Sequence, residues 1–105
     1  MQEVIGSNPI FSTNSELRVI EAFFMMKFLT YILYSPLKNK YYIGHTEHLE
    51  RRLIQHNSKN NLGTNDWIVV HTEPFLTRAD AMKRELEIKN KKSRTYIEWL
   101  IKQKD

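Results

Sequence analysis

The 105-residue chain has no cysteine, which excludes a disulfide framework and a thiolate metal centre and leaves a reducing compartment open to it. It also lacks any apolar run near the ~18 residues that would span a bilayer. The patch Ala22-Phe23-Phe24-Met25-Met26 is too short for the core of a secretory signal with its cleavage site. No internal repeat and no low-complexity block interrupts the chain. These absences point to one small cytoplasmic domain away from membranes, and a content of 41% hydrophobic and 27% charged residues is an ordinary globular mixture. What is present is an excess of positive charge. The net charge is +4, and from Lys27 onward 15 Lys and Arg stand against 9 Asp and Glu. A basic small domain commonly meets phosphate, although the same charge can belong to a solvated surface.

Residues 1–25 show no sustained hydrophobic period, and Asn8-Pro9 and Ser12-Thr13-Asn14-Ser15 are loop chemistry. One expectation is a disordered tail with a short helix over 16–24. The other is a non-native extension. Gly6-Ser7-Asn8-Pro9 is what the codons GGT TCG AAT CCC encode, a string of the kind found in the T-arm of a transfer RNA gene, which would put the natural start at Met25 or Met26.

The domain is expected over residues 27–101. Tyr31-Ile32-Leu33-Tyr34 and Lys40-Tyr41-Tyr42-Ile43 carry the aromatic and β-branched residues of strands, and Ser35-Pro36-Leu37-Lys38-Asn39 holds turn formers, so the segment predicts a β-hairpin. Alternation puts Tyr31 with Leu33 on one face and Tyr42 with Gly44 on one face. If those faces coincide, two phenols stand side by side. Thr46 is placed to accept from a free N–H at the start of a helix running to about His56, with Leu49 and Leu53 as its buried stripe and Arg52 and His56 beside it. A polar loop over 57–66 leads to a third strand, Trp67-Ile68-Val69-Val70-His71, which Pro74 is expected to end. Trp67 is expected to anchor the core, and Tyr34 and Tyr41 to pack on the other side of the hairpin.

Thr77-Arg78-Ala79-Asp80 matches a capping box and opens a helix to about Asn90. Its apolar arc has Ala79, Met82 and Leu86 on one edge and Ala81 and Ile88 on the other, with Asp80, Lys83, Arg84 and Glu87 opposite. Glu85 falls near the middle of the arc. A carboxylate there must be paired, hydrogen-bonded or bound to metal. A salt bridge to Arg52 or Lys89 is one reading, and a metal ligand the other. Lys89-Asn90-Lys91-Lys92-Ser93-Arg94 is a basic break, with Ser93 capping a last helix through Ile97, Trp99, Leu100 and Ile101.

Tyr31, Tyr42-Ile43-Gly44, Arg52 with His56, and Ala81-Met82-Lys83-Arg84-Glu85-Leu86-Glu87-Ile88-Lys89, in this order and spacing, resemble the GIY-YIG nuclease domain, particularly the small single-domain bacterial proteins of that superfamily. Leu29-Thr30-Tyr31 stands in place of the first Gly-Ile-Tyr, and His45 where many members have lysine. The resemblance implies an α+β fold, a three-stranded antiparallel sheet flanked by helices in the order ββαβαα. It implies a metal-dependent endonuclease acting on nucleic acid, DNA ahead of RNA, structure-directed or weakly specific, with Mg²⁺ or Mn²⁺. Tyr31, Tyr42, His45, Arg52, His56 and Glu85 are then the catalytic set, and Glu85 is the metal ligand. Gly44, Arg51, Lys89, Lys91, Lys92 and Arg94 are the nucleic-acid contacts. Tyr31 is the first candidate base, provided that its phenol is shifted downward, while His45 and His56 are chemically easier bases. A non-catalytic nucleic-acid-binding module and a protein-interaction domain are the alternatives, and a protein partner is one source of specificity.

Overall fold

The computed structural model describes Arg18, residues 25–58 and residues 63–103. The expectations for the N-terminal tail and for the middle of the 57–66 loop therefore fall mostly outside the described residues. Within them the elements are β1 (Phe28–Ser35), β2 (Lys40–Thr46), α1 (Leu49–Ser58), β3 (Ile68–Phe75), α2 (Arg78–Lys91) and α3 (Arg94–Lys102). The fold is α+β in the expected order ββαβαα, with one antiparallel sheet of strand order β2-β1-β3. Among the described residues no helix is long and apolar enough to cross a membrane.

The hairpin closes through Asn39, whose positive φ of 53° is the left-handed conformation that asparagine tolerates, and whose N–H donates to the Ser35 carbonyl at 2.7 Å. Asp66, just before β3, fixes the turn. Its carboxylate accepts from Ser35 Oγ (2.6 Å), Leu37 N (2.8 Å) and Thr64 Oγ1. The third strand does not stop at Pro74. It continues to Phe75 with Pro74 opposite Leu29, because β3 is an edge strand, where proline is tolerated.

Register partners share a face, which divides the sheet cleanly. Tyr31 and Leu33 lie with Tyr42 and Gly44 on the face covered by α1, where Trp67, Leu49, Leu53 and Val69 complete one cluster. Ile32 and Ile43 lie on the other face under α2 and α3, packed against Ile88 and Leu100. Trp67 is buried, as expected of a core anchor.

The caps predicted at Thr77 and Ser93 form, with Thr77 accepting from Asp80 N (3.1 Å) and Ser93 from Tyr96 N (3.0 Å), while Thr46 ends β2 and accepts from His48 N (3.0 Å), just before α1 begins at Leu49. The apolar arc of α2 is corrected. Ala81 and Ile88 are buried, while Met82 and Leu86 are 46% and 52% exposed. The small Ala81 lets the helix come close enough for buried Thr30 to donate to its carbonyl at 2.7 Å. The helix is thereby rolled so that Arg84 and Glu85, which have partners on the strands, face the sheet. Arg84 is consequently not on the solvent side. It grips Glu73 of β3 through Nε (2.7 Å) and Nη2 (3.2 Å).

Candidate active site

The site forms on β2, whose outer side pairs with no other described strand. Tyr31 on the central strand is opposite Gly44, and its phenol lies across that glycine: a Cβ at position 44 would stand 2.7 Å from Tyr31 Oη and 2.8 Å from Cζ. Glycine is needed here for close approach, and its absent side chain lets the tyrosine reach toward the sheet edge. Tyr42 stands two residues along on the same face with its ring 6.3 Å from that of Tyr31, so the two phenols do stand side by side. His56 of α1 completes the row, edge-on to Tyr42 at 5.2 Å.

These rings are buried unequally and to different effect. Tyr31 is 1% exposed, and burial pushes its phenol well above the ordinary range; Tyr42 and Glu85 push it further, and Arg52 alone opposes them. The downward shift expected of a tyrosine base is thus not what these surroundings produce. His56 is 6% exposed, and neither ring nitrogen has a hydrogen-bond partner among the described residues. Burial, and then the charge of Arg52, lower its pKa and keep the imidazole neutral near pH 7. The sequence puts His56 beside the buried stripe of α1, and the structure makes it a buried ring whose nitrogens bond to no described residue. Arg52, one turn earlier, is exposed and makes no side-chain hydrogen bond or ion pair among the described residues.

His45 follows Gly44 and therefore points to the opposite face, where α2 brings Glu85. Its Nδ1 lies 2.6 Å from Glu85 Oε1, and Lys89 Nζ lies 2.6 Å from Oε2. Burial raises the Glu85 carboxyl, but the hydrogen bonds and charges of Lys89 and His45 outweigh it and hold the group below its ordinary value. The carboxylate and the phenol row consequently occupy opposite faces of one edge strand and meet around it at Gly44 and His45.

The proposed nucleic-acid contacts are more dispersed. Arg51 is exposed on α1, and Lys89 holds Glu85. Farther along α2, Lys91 lies 5.3 Å over the Tyr96 ring, and Lys92 is the left-handed cap with φ 49°. Arg94 is committed to the hairpin. It covers Tyr41 at 4.8 Å, donates to the Asn39 carbonyl at 3.0 Å and pairs with Glu98 at 3.2 Å.

A polar network on the α2 face escaped the sequence reading. Glu73 receives Arg84 on both oxygens and lies 2.7 Å from His71 Nε2. The signal was available in the period-2 spacing of His71 and Glu73, which puts both on one face of β3.

Comparison with known proteins gives the family of the domain that carries these residues. A UPF0213 protein of Halobacterium salinarum, an archaeon, is 38% identical over 53 residues, covering 47% of this chain and 69% of that protein. No solved structure matches the chain. The GIY-YIG catalytic domain matches residues 27–98, a span that starts just before β1, ends inside α3 and contains Tyr31, Tyr42, Gly44, Arg52, His56 and Glu85. With its ββαβαα order and its tyrosines on the first two strands, the chain belongs to the GIY-YIG family, a nuclease superfamily.

Proposed function

We propose that the protein is a divalent-metal-dependent endonuclease hydrolysing phosphodiester bonds in DNA, structure-directed or weakly specific, and working in the cytoplasm. The observation that carries this reading is that the span matched by the GIY-YIG catalytic domain contains Tyr31, lying across Gly44 beside Tyr42, together with Arg52, His56 and the paired carboxylate of Glu85. A carboxylate for a counter-ion and a guanidinium for the phosphate are what phosphodiester hydrolysis requires.

The residues fit Mg²⁺ or Mn²⁺. Glu85 offers hard oxygens and is ionised, and two hydrogen-bond partners leave lone pairs on a carboxylate that has about four such sites. Among the described residues no three His, Asp or Glu side chains gather into a metal cage, so the protein would supply one carboxylate, with water and substrate phosphate completing the shell. Glu85 would hold the ion, which when bound supplies stabilisation of the charge on the leaving oxygen. Arg52 donates to the scissile phosphate through two parallel N–H groups, a contact lysine cannot reproduce. His56 takes the proton of the attacking water, which must enter with the substrate because both ring nitrogens are buried; a neutral imidazole whose nitrogens bond to no described residue is a better acceptor near pH 7 than a phenol raised by burial. Tyr31 keeps its proton and positions that water, with Tyr42 holding the imidazole against its edge. His45 orients Glu85. Arg51, Lys89, Lys91, Lys92 and Arg94 supply positive charge along the duplex, and a chain of this size neutralises few phosphates, so affinity is modest and salt-sensitive and a partner protein supplies specificity.

The second reading is a nucleic-acid-binding module without turnover, favoured by one observation: both Glu85 oxygens already hold a partner. Labelled single-stranded, duplex, flap and branched DNA, and the matching RNAs, incubated with Mg²⁺ or Mn²⁺ test the proposal. Cleavage of at least one DNA, lost with a chelator and reduced about 10²–10³-fold in Arg52→Lys, is expected. Salt-sensitive binding with no cleavage of any substrate would favour the module.

A further inference from the structure

The two oxygens of Glu85 are held by groups of different freedom. Oε1 meets His45, whose short side chain on β2 has two rotatable bonds and is 22% exposed. Oε2 meets Lys89, whose ammonium hangs on four methylenes one helical turn away and whose side chain is 43% exposed. The carboxylate itself is 14% exposed, and a charge so placed needs a counter-charge whatever else is bound. We propose that Lys89 is the exchangeable counter-ion of this site. Its ammonium neutralises Glu85 in the metal-free protein and gives up that place to a divalent cation. Lys89 is then left at the rim as a contact for a nucleic-acid phosphate.

The exchange rests on the metal reading of Glu85 and adds a coupling to it. The ammonium that competes with the cation is the one a phosphate attracts, so metal and nucleic acid each favour the binding of the other, as linkage requires. Of the groups around the carboxylate, His45 on β2 and Lys89 on α2 bond to it and Tyr31 on β1 is coupled to it electrostatically. Only Lys89 among these has the length and exposure to leave.

Mn²⁺ alone, titrated into the protein without nucleic acid and followed by electron paramagnetic resonance of the unbound ion, tests the proposal. Lys89→Met keeps the length and removes the charge, and is expected to bind Mn²⁺ on the order of tenfold more tightly than the wild type. Lys92→Met removes the same charge farther along the chain and is expected to change affinity less than about twofold. No gain in Lys89→Met, or equal gains in both variants, overturns the exchange. Addition of Mg²⁺ to the wild type should also move the Lys89 ammonium signal in ¹⁵N NMR toward its position in metal-free Glu85→Gln; an unmoved signal overturns the exchange as well. Failure of the underlying reading looks different. Mn²⁺ binding that survives Glu85→Gln, or none by the wild type, removes the metal site itself.

Discussion

The chemistry of single side chains here is set by what lies within a few ångströms, and two predictions follow from that scale. Gly44→Ala would put a methyl within 2.7 Å of a phenol that burial holds in place. Overpacking of this kind costs about 1–3 kcal/mol, so the urea midpoint should fall and the Tyr31 ring should shift; an unchanged midpoint would mean that the phenol is not seated there. The choice of base is tested by the pH–rate profile. If His56 accepts the proton, activity rises as its lowered pKa is passed and is level above its ordinary value of 6.5. A rate that keeps climbing through pH 9 would assign the proton transfer to a phenol. Tyr31, Tyr42, Gly44, Arg52, His56 and Glu85 were all legible as residue types at family spacing. Their protonation was not, because burial and the charges of Arg52 and Glu85 are properties of the assembled site.

At the scale of elements, the hairpin, the two capped helices and the strand beginning after Trp67 could be read from alternation and cap chemistry, which are local. What could not be read were features decided by a neighbouring element. Pro74 looks like a terminator until β3 is known to be an edge, and α2 looks centred on Glu85 until Thr30 pulls Ala81 inward. Asp66 is the clearest case, a loop aspartate whose partners Ser35 and Leu37 belong to a turn about thirty residues earlier in the chain. Although desolvation alone would raise it, hydrogen bonds from Ser35, Thr64 and Leu37 bring its pKa from 3.8 down to about 2. A depressed carboxyl stabilises the fold fully above its unfolded value and loses that contribution as pH falls through the folded one. NMR titration should therefore find Asp66 still ionised at pH 3; a midpoint near 3.8 would show that the turn is not held this way.

Across the whole molecule, one sheet carries two cores back to back, and the candidate functional groups come from both. Glu73 and Glu85, on the α2 face, are each held below the ordinary 4.5 by Arg84 with His71 and by Lys89 with His45, outweighing their burial. Their contribution is complete above pH 4.5 and is lost below it, so denaturant stability should decline as acid is added and decline less in Glu73→Gln. A decline of the same size in that variant would remove Glu73 from the account. The spacing of the motifs pointed to this joint site, yet its placement on two faces of β2 was hidden, since His45 and Gly44 are neighbours in sequence and point opposite ways. The central claim is that Glu85 and Arg52 form one nucleolytic centre at that strand. The most direct measurement is cleavage and binding of the same DNA by wild type and Glu85→Gln in Mg²⁺. The account predicts that the variant still binds the DNA but loses about 10²–10³-fold or more in cleavage. Cleavage at the wild-type rate by Glu85→Gln would contradict it.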